Sequence, residues 1–423
     1  DAEPYRFAMG IARSFNNQHV YVADRLGVSV VDITDRSNPV IVGNVQTPGV
    51  ARKLKLSNDG RYGFDADSRS GLTIVDLQQP TNPVIVATTE MDSNPFSSDA
   101  VRDVALSTDN NIAYAVGEKG ALHVIDISTR NAPEIKASLS LGTGNGYRSI
   151  ALSGDFLFVT AGENGFVVLN VVNPLNPIIA LNQTSEHWVQ SLSVSSDGQS
   201  LYVADNHLTT YDISDPLNPV QTDRLWLDND TGAANVQDLA LSSDGTTLLI
   251  SGPGNSRLFT CDLSTPSKPE LIHSLEVSGG AWGAVTSDDG SHVLCASGAS
   301  FFTALALPPN GTPVVVGSIA NPTLFAAPKR ITSNGQYEFR AWNDGVEVYD
   351  LSRGRELVNT HQILPDGNHN WSSQDITLSA DDQFAFVSFI GIGIESYAIY
   401  FIWIIAANIL YIILPSKPSS MKF

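Results

Sequence analysis

The sequence predicts an all-β fold: a β-propeller of four-stranded antiparallel blades, eight in the favoured reading, with seven or nine as alternatives. Three observations lead there: a repeat of 42 to 50 residues along most of the chain, strand-length apolar runs separated by tight-turn residues, and 33 glycines and 22 prolines with only 16% charged residues. Such a composition is rich in turns and poor in solvent-facing helices. Length alone would suggest about three domains, but a repeat of this period stacks like units around one continuous core.

Each unit opens with two apolar strands joined by an Asp-Gly or Asn-type turn, as in KLSNDGRYGF, SVSSDGQSLYVA and ALSSDGTTLLIS. That is a strong short-range hairpin signal. A third strand ends at an acidic anchor, the series being Asp32, Asp76, Asp126, Asn170, Asp212, Asp262, Ala306 and Asp350. Short polar side chains of this kind cap turns by accepting from backbone N–H groups. Seven residues past each of the first seven anchors stands a proline: Pro39, Pro83, Pro133, Pro177, Pro219, Pro269 and Pro313; the eighth has Leu357. Proline suits the start of an outermost strand, where no neighbour needs its missing N–H. One such meander buries too little surface to stand alone, whereas several packed face to face bury a common core.

The ends of the chain are less regular. The first unit's opening strand, MGIARSF, is a poor match, and a ninth opening strand, QDITLSADDQFAFVSF, begins near Gln374. The expectation is a composite blade in which late and early strands share one sheet and close the ring, the propeller spanning residues 1–396. Residues 397–423 then form a hydrophobic segment. Its uncharged run AIYFIWIIAANILYIILP supplies 17 residues, 398–414, at the short end of a membrane-spanning helix. Lys417 and Lys422 follow, as in a cytoplasmic stub. The expectation is membrane association through residues 398–414, with buried strands or an atypical chain end as alternatives.

The strings GVSVVDI and GLTIVDL, each followed by an Asn-Pro turn and VIV, resemble the LVIVD repeat. The resemblance covers about residues 5–395. It implies a secreted or surface-displayed bacterial or archaeal propeller, a scaffold that carries no common reaction or catalytic residues.

Composition bears on function mainly by exclusion. With 24 Lys+Arg against 44 Asp+Glu, a net charge of −20, the surface repels nucleic acid and anionic membranes. Cys261 and Cys295 sit in apolar runs and read as small buried hydrophobes, a cross-strand disulfide being the alternative. There is no G-x-S-x-G, H-E-x-x-H, Walker, dinucleotide-fingerprint or C-x-x-C motif, so no catalytic residue and no cofactor is assigned. Calcium is an alternative at residues 65–71, where Arg69 stands in place of an oxygen ligand, and at residues 228–232. His361, Asp366 and His369 form the one local histidine cluster in the sequence, and Asn182, Asn229, Asn310 and Asn370 head glycosylation sequons.

One register carries the site hypothesis. Aligning the opening strands on Ser57, Ser107, Ser153, Ser195, Ser242, Ser287, Ser333 and Ser379 places Arg52, Arg102, Arg148, Gln190, Gln237, Trp282, Pro328 and Gln374 five positions earlier, with Lys329 beside the proline. Innermost propeller strands line the axis, so this register forms a ring near a channel mouth. Guanidinium forks and amides bind carboxylates, sulfate or an acidic loop. Alternatively they bond neighbouring carbonyls or the aspartates that follow, Asp103, Asp238 and Asp375. The functional expectation is a non-enzymatic, extracytoplasmic or cell-surface scaffold for a protein or glycan partner. The alternative is a propeller hydrolase or lactonase, which needs inward carboxylates or histidines from several blades at the channel mouth.

Overall fold

The structure, a computed structural model, describes residues 8–403 except 92–98, 143–145, 206, 228–235, 243, 253–256, 278–279, 298–299, 308–312, 321–328, 332–336, 342–344, 351–355, 363–370, 379–383 and 392–396. The chain divides into two compact units, Arg6–Asn321 and a second built on Pro322–Phe423 with Asp1–Tyr5. The first unit holds seven sheets of four antiparallel strands, each formed from strands consecutive in sequence. We number these blades one to seven: residues 8–46, 54–89, 101–140, 150–183, 191–225, 238–276 and 281–320.

Local chemistry recurs from blade to blade. In the opening hairpin, Ser107 Oγ donates to Asp109 Oδ1 at 2.6 Å and accepts from the Ile112 N–H at 2.9 Å, while Asp109 accepts from the Asn111 N–H at 3.0 Å. The same lock recurs at Ser57/Asp59, Ser195/Asp197, Ser242/Asp244 and Ser287/Asp289. These serine hydrogen bonds hold the carboxyls of Asp59, Asp109, Asp197 and Asp244 below their ordinary range. The anchor aspartates cap the next turn as expected: Asp32, Asp126 and Asp212 accept from the N–H two residues on at 2.8, 3.0 and 2.8 Å. In blades one to six each anchor then leads to the proline turn and an outer strand.

The core lies between blades. Tyr114, Val116 and Val124 of blade three pack against Leu157, Val159 and Val167 of blade four. The same packing closes the ring, with Ala8, Val20 and Val22 of blade one buried against Leu294, Ala296 and Phe302 of blade seven. Two glycines mark the closeness of approach. A Cβ on Gly10 would stand 2.3 Å from the Arg52 carbonyl oxygen in blade two, and one on Gly317 of blade seven 2.1 Å from the Arg36 carbonyl oxygen in blade one.

Eight blades and a composite closing blade are therefore corrected to seven complete ones. Ala8–Arg13, the strand that reads poorly, pairs with His19–Asp24 inside blade one. Its weak apolar pattern reflects Gly10, which the tight seam requires. The second unit contains a four-stranded sheet over residues 329–362 and a three-stranded one of Trp371–Leu378, Phe384–Gly391 and Tyr397–Trp403.

The tail also needs correction. Residues 398–403 lie in the last of those strands, paired with Phe384–Gly391, and not in a helix. Residues 404–423 lie outside the described residues, and among those described no helix is long and apolar enough to cross a membrane. Cys261 and Cys295 are buried free thiols, as the apolar context predicts, and burial pushes both up to about 12.

Candidate functional site at the arginine mouth

Seven first strands converge on the axis and present two successive rings of side chains. The outer ring is the predicted register, completed in blade one by Met9. It holds Arg52, Arg102, Arg148, Gln190, Gln237 and Trp282, and a pocket of about 50 Å³ lies among Met9, Arg52, Arg102, Arg148, Gln237 and Trp282, with Lys53 below. Lys329 opens the strand Lys329–Ile331 and Gln374 lies in Trp371–Leu378, both in the second unit.

The three arginines are not equally satisfied. Arg102 is ion-paired to Glu118, and Arg148 Nη2 lies 3.6 Å from the same carboxylate. Arg148 Nη1 also donates to Gln190 Oε1 at 2.8 Å, and its guanidinium lies 5.9 Å from the Trp188 ring centre. Arg52 donates from Nε to Ser68 Oγ at 2.6 Å, while Nη1 faces only the Met9 sulfur at 3.8 Å, a weak acceptor. Ser68 takes the left-handed conformation, φ 50°, and its Oγ also donates to the Val50 carbonyl at 2.9 Å. Arg52 makes no ion pair among the described residues. Burial, together with repulsion from Arg102 and Arg148, lowers its pKa to about 10. Burial opposes ionisation of Glu118, but the Arg102 hydrogen bond and the arginine charges win and hold its pKa below the ordinary value. The Nε groups of Arg102 and Arg148 are buried without a hydrogen-bond partner. The cluster therefore holds three cations against one anion, and an incoming oxyanion would meet unspent donors.

The inner ring, one residue further along, is Gly10, Lys53, Asp103, Ser149, Ser191, Asp238 and Gly283. Lys53 Nζ reaches Asp238 Oδ1 at 2.8 Å and Asp103 Oδ2 at 3.3 Å across the channel. Asp103 Oδ2 also accepts from the Ile150 N–H at 3.2 Å, and Asp238 Oδ1 from Ser191 Oγ at 3.3 Å. Burial would lower the Lys53 ammonium pKa, but the two carboxylates overcome it and raise it. Below this layer the channel widens into a cavity of about 590 Å³ lined by all seven first strands.

The structure thus gathers six of the eight predicted residues in one ring. Among the described residues the arginines are not bonded to Asp103 or Asp238; Lys53 is. Sequence reasoning missed Met9, because its strand looked weak, and Glu118 and Trp188, because they come from loops outside the aligned register. In the calcium-like segment the oxygens are already committed or buried. Asp67 accepts from Thr47 Oγ1 at 2.8 Å, Thr73 Oγ1 at 2.9 Å and the Gly49 N–H at 3.1 Å, and Asp65 is enclosed within a strand. Residues 228–232, His369 and Asp366 lie outside the described residues, and among those described no cluster of three His, Cys, Asp or Glu is arranged to hold a metal.

Fold and axis together define a seven-bladed β-propeller. The chain carries five LVIVD repeats, at residues 14–47, 48–90, 100–140, 146–184 and 189–224, and its ring is consistent with an LVIVD-repeat propeller. No curated protein sequence matches the chain. Among solved structures it is similar to hydrazine synthase from Kuenenia stuttgartiensis, with a TM-score of 0.58 and 15% identity over 73% of this chain and 97% of that one. It is also similar to a periplasmic gluconolactonase from Pseudomonas aeruginosa, with a TM-score of 0.54 and 16% identity over 66% and 86% of the two chains. A Lactobacillus plantarum protein gives a TM-score of 0.55 at 14% identity over 64% and 86%. These likenesses are of fold.

Proposed function

We propose that the protein is a non-enzymatic propeller acting outside the cytoplasm, binding a protein or glycan partner through an acidic group seated at the arginine mouth. The carrying observation is Arg52, a half-buried guanidinium with no carboxylate partner among the described residues, beside two arginines that share one glutamate. Arginine forks match carboxylates bidentately, and partial burial strengthens such pairs relative to open solvent. The test is calorimetric titration with citrate and a poly-glutamate peptide, of the wild type and of R52A/R102A/R148A. Binding lost with the melting temperature kept supports a site; a lowered melting temperature with no binding by the wild type assigns the arginines to the scaffold.

The rival reading is a hydrolase or lactonase with its site at the channel mouth. It is favoured by one observation: carboxylates from two blades, Asp103 and Asp238, do face the axis. Both are already bonded to Lys53, whose single charge offsets one of the two, and this engagement weighs towards binding. A stoichiometric divalent ion in the purified protein would favour the enzyme.

A further inference from the structure

Around blade five the arginine mouth continues into an aromatic platform. Strand pairing fixes its place. Ser191 opposes Ala204, Ala204 opposes Leu208, and Leu208 opposes Leu225, so Gln190, His207 and Trp226 all emerge at one end of the blade. Trp226 is 60% exposed, and its ring meets His207 edge to face, the centres 4.0 Å apart. His207 is buried and lies 5.2 Å from the His187 ring. The next residue, Trp188, lies against Arg148. Its indole N–H is buried without a hydrogen-bond partner. Ring contacts thus run from Trp226 through His207 to His187, and the adjacent Trp188 faces Arg148.

The surroundings of Trp226 are polar. Arg224 Nη1 reaches Glu186 at 3.2 Å, and its Nε donates to Thr209 Oγ1 at 3.4 Å. Asp205 accepts from the His207 N–H at 2.7 Å. Leu227, the next apolar side chain along the strand end, is buried. An exposed aromatic plate with hydrogen-bonding groups around it suits a ligand that is amphipathic on the scale of one ring. A sugar has that character, with an apolar C–H face for the indole and hydroxyls for the rim. An apolar peptide anchor would instead want an aliphatic pocket, and at this platform the neighbouring leucine is turned inward.

We infer that the ligand of this mouth is an acidic oligosaccharide, one sugar stacked on Trp226 and a carboxylate of another seated in the arginine pocket. The inference rests on the reading of the mouth as a binding site. The Glu118 carboxylate leaves an excess of cationic donors, so the ligand must bring a negative group, and because His207, His187 and Trp188 stand between Trp226 and the arginines, the stacked sugar and the carboxylate belong to different units of the ligand.

The test uses the whole chain with three probes: a short oligogalacturonide, a neutral galactose oligomer of equal length, and a poly-glutamate peptide, followed by calorimetry and tryptophan fluorescence. The oligogalacturonide is expected to bind and the neutral oligomer not. W226A, at an exposed position, should weaken the oligogalacturonide about tenfold and leave poly-glutamate unchanged, and W226F should recover most of the loss. Arginine-dependent binding of poly-glutamate without oligogalacturonide binding overturns the saccharide and keeps the mouth. Binding of neither probe overturns both. Oligogalacturonide binding indifferent to W226A overturns the platform.

Discussion

At the scale of single residues, the first unit places one carboxyl where a charge is costly. Asp65 is fully buried, and among the described residues its oxygens meet no well-formed hydrogen bond, the Arg52 backbone N–H giving only partial relief; burial and the nearby Asp67 raise its pKa well above the ordinary value. A carboxyl raised on folding contributes stability that is present below pH about 4 and is lost as pH climbs towards the folded value. D65N, which cannot ionise, should therefore melt higher than the wild type at pH 7, by roughly 2–4 °C per kcal/mol recovered, and much the same at pH 4. Thermal melts from pH 4 to 8 check this, and a gap that fails to widen with pH contradicts it. Spacing alone could not separate this arrangement from a calcium loop. Acidic residues two apart share a face in a strand as well as in a chelating turn, and here Asp65 stays in the strand Tyr62–Ala66 while Asp67 enters the turn. Arg52 was legible for a different reason: its register repeats, so alignment to other blades located it before any coordinate did.

The hairpin is the element whose chemistry recurs most plainly. In blade five Ser195 Oγ donates to Asp197 Oδ1 at 2.5 Å and accepts from the Ser200 N–H at 2.8 Å. S195A removes both bonds and should cost about 1–2 kcal/mol by urea denaturation at pH 7. The same serine lowers the Asp197 pKa. A lowered carboxyl contributes stability above its unfolded pKa of about 4, lost as pH falls through the folded value, so the gap between S195A and wild type should narrow at pH 3. A penalty constant with pH would remove Asp197 from the account. Strand order and turn positions in these elements could be read from the sequence because turn residues act locally. The opening strand of blade one could not, since Gly10 answers to a neighbouring blade and not to its own strand. The last described strand, Tyr397–Trp403, is ambiguous in the sequence for a related reason. Ile, Tyr, Phe and Trp satisfy a buried strand and a lipid-facing helix alike, and only the pairing partner decides.

Across the whole molecule, Lys53 ties together blades far apart in sequence. Its ammonium joins Asp103 of blade three and Asp238 of blade six, and Asp103 is nearly fully buried. K53M leaves two carboxylates in the channel without their cation and should destabilise the ring by about 3–5 kcal/mol. K53M/D103N/D238N should regain much of that in the same denaturation experiment. If the triple variant is no better than the single one, packing of the lysine stem, and not charge, holds the layer. The repeat made a propeller legible, but the blade count was not. Each blade completes its four-stranded ladder from consecutive segments, so backbone pairing ends within the sheet and carries no information about circumference. The number is set instead by the wedge that side chains make between adjacent sheets. At the seam the two sheets meet in ordinary van der Waals contact, a Cβ on Gly283 standing 3.5 Å from the Gly10 Cα. Ring size in this protein is thus a matter of bulk near the hub, and a landmark count along the chain measures how many sectors exist, not how many one turn can hold.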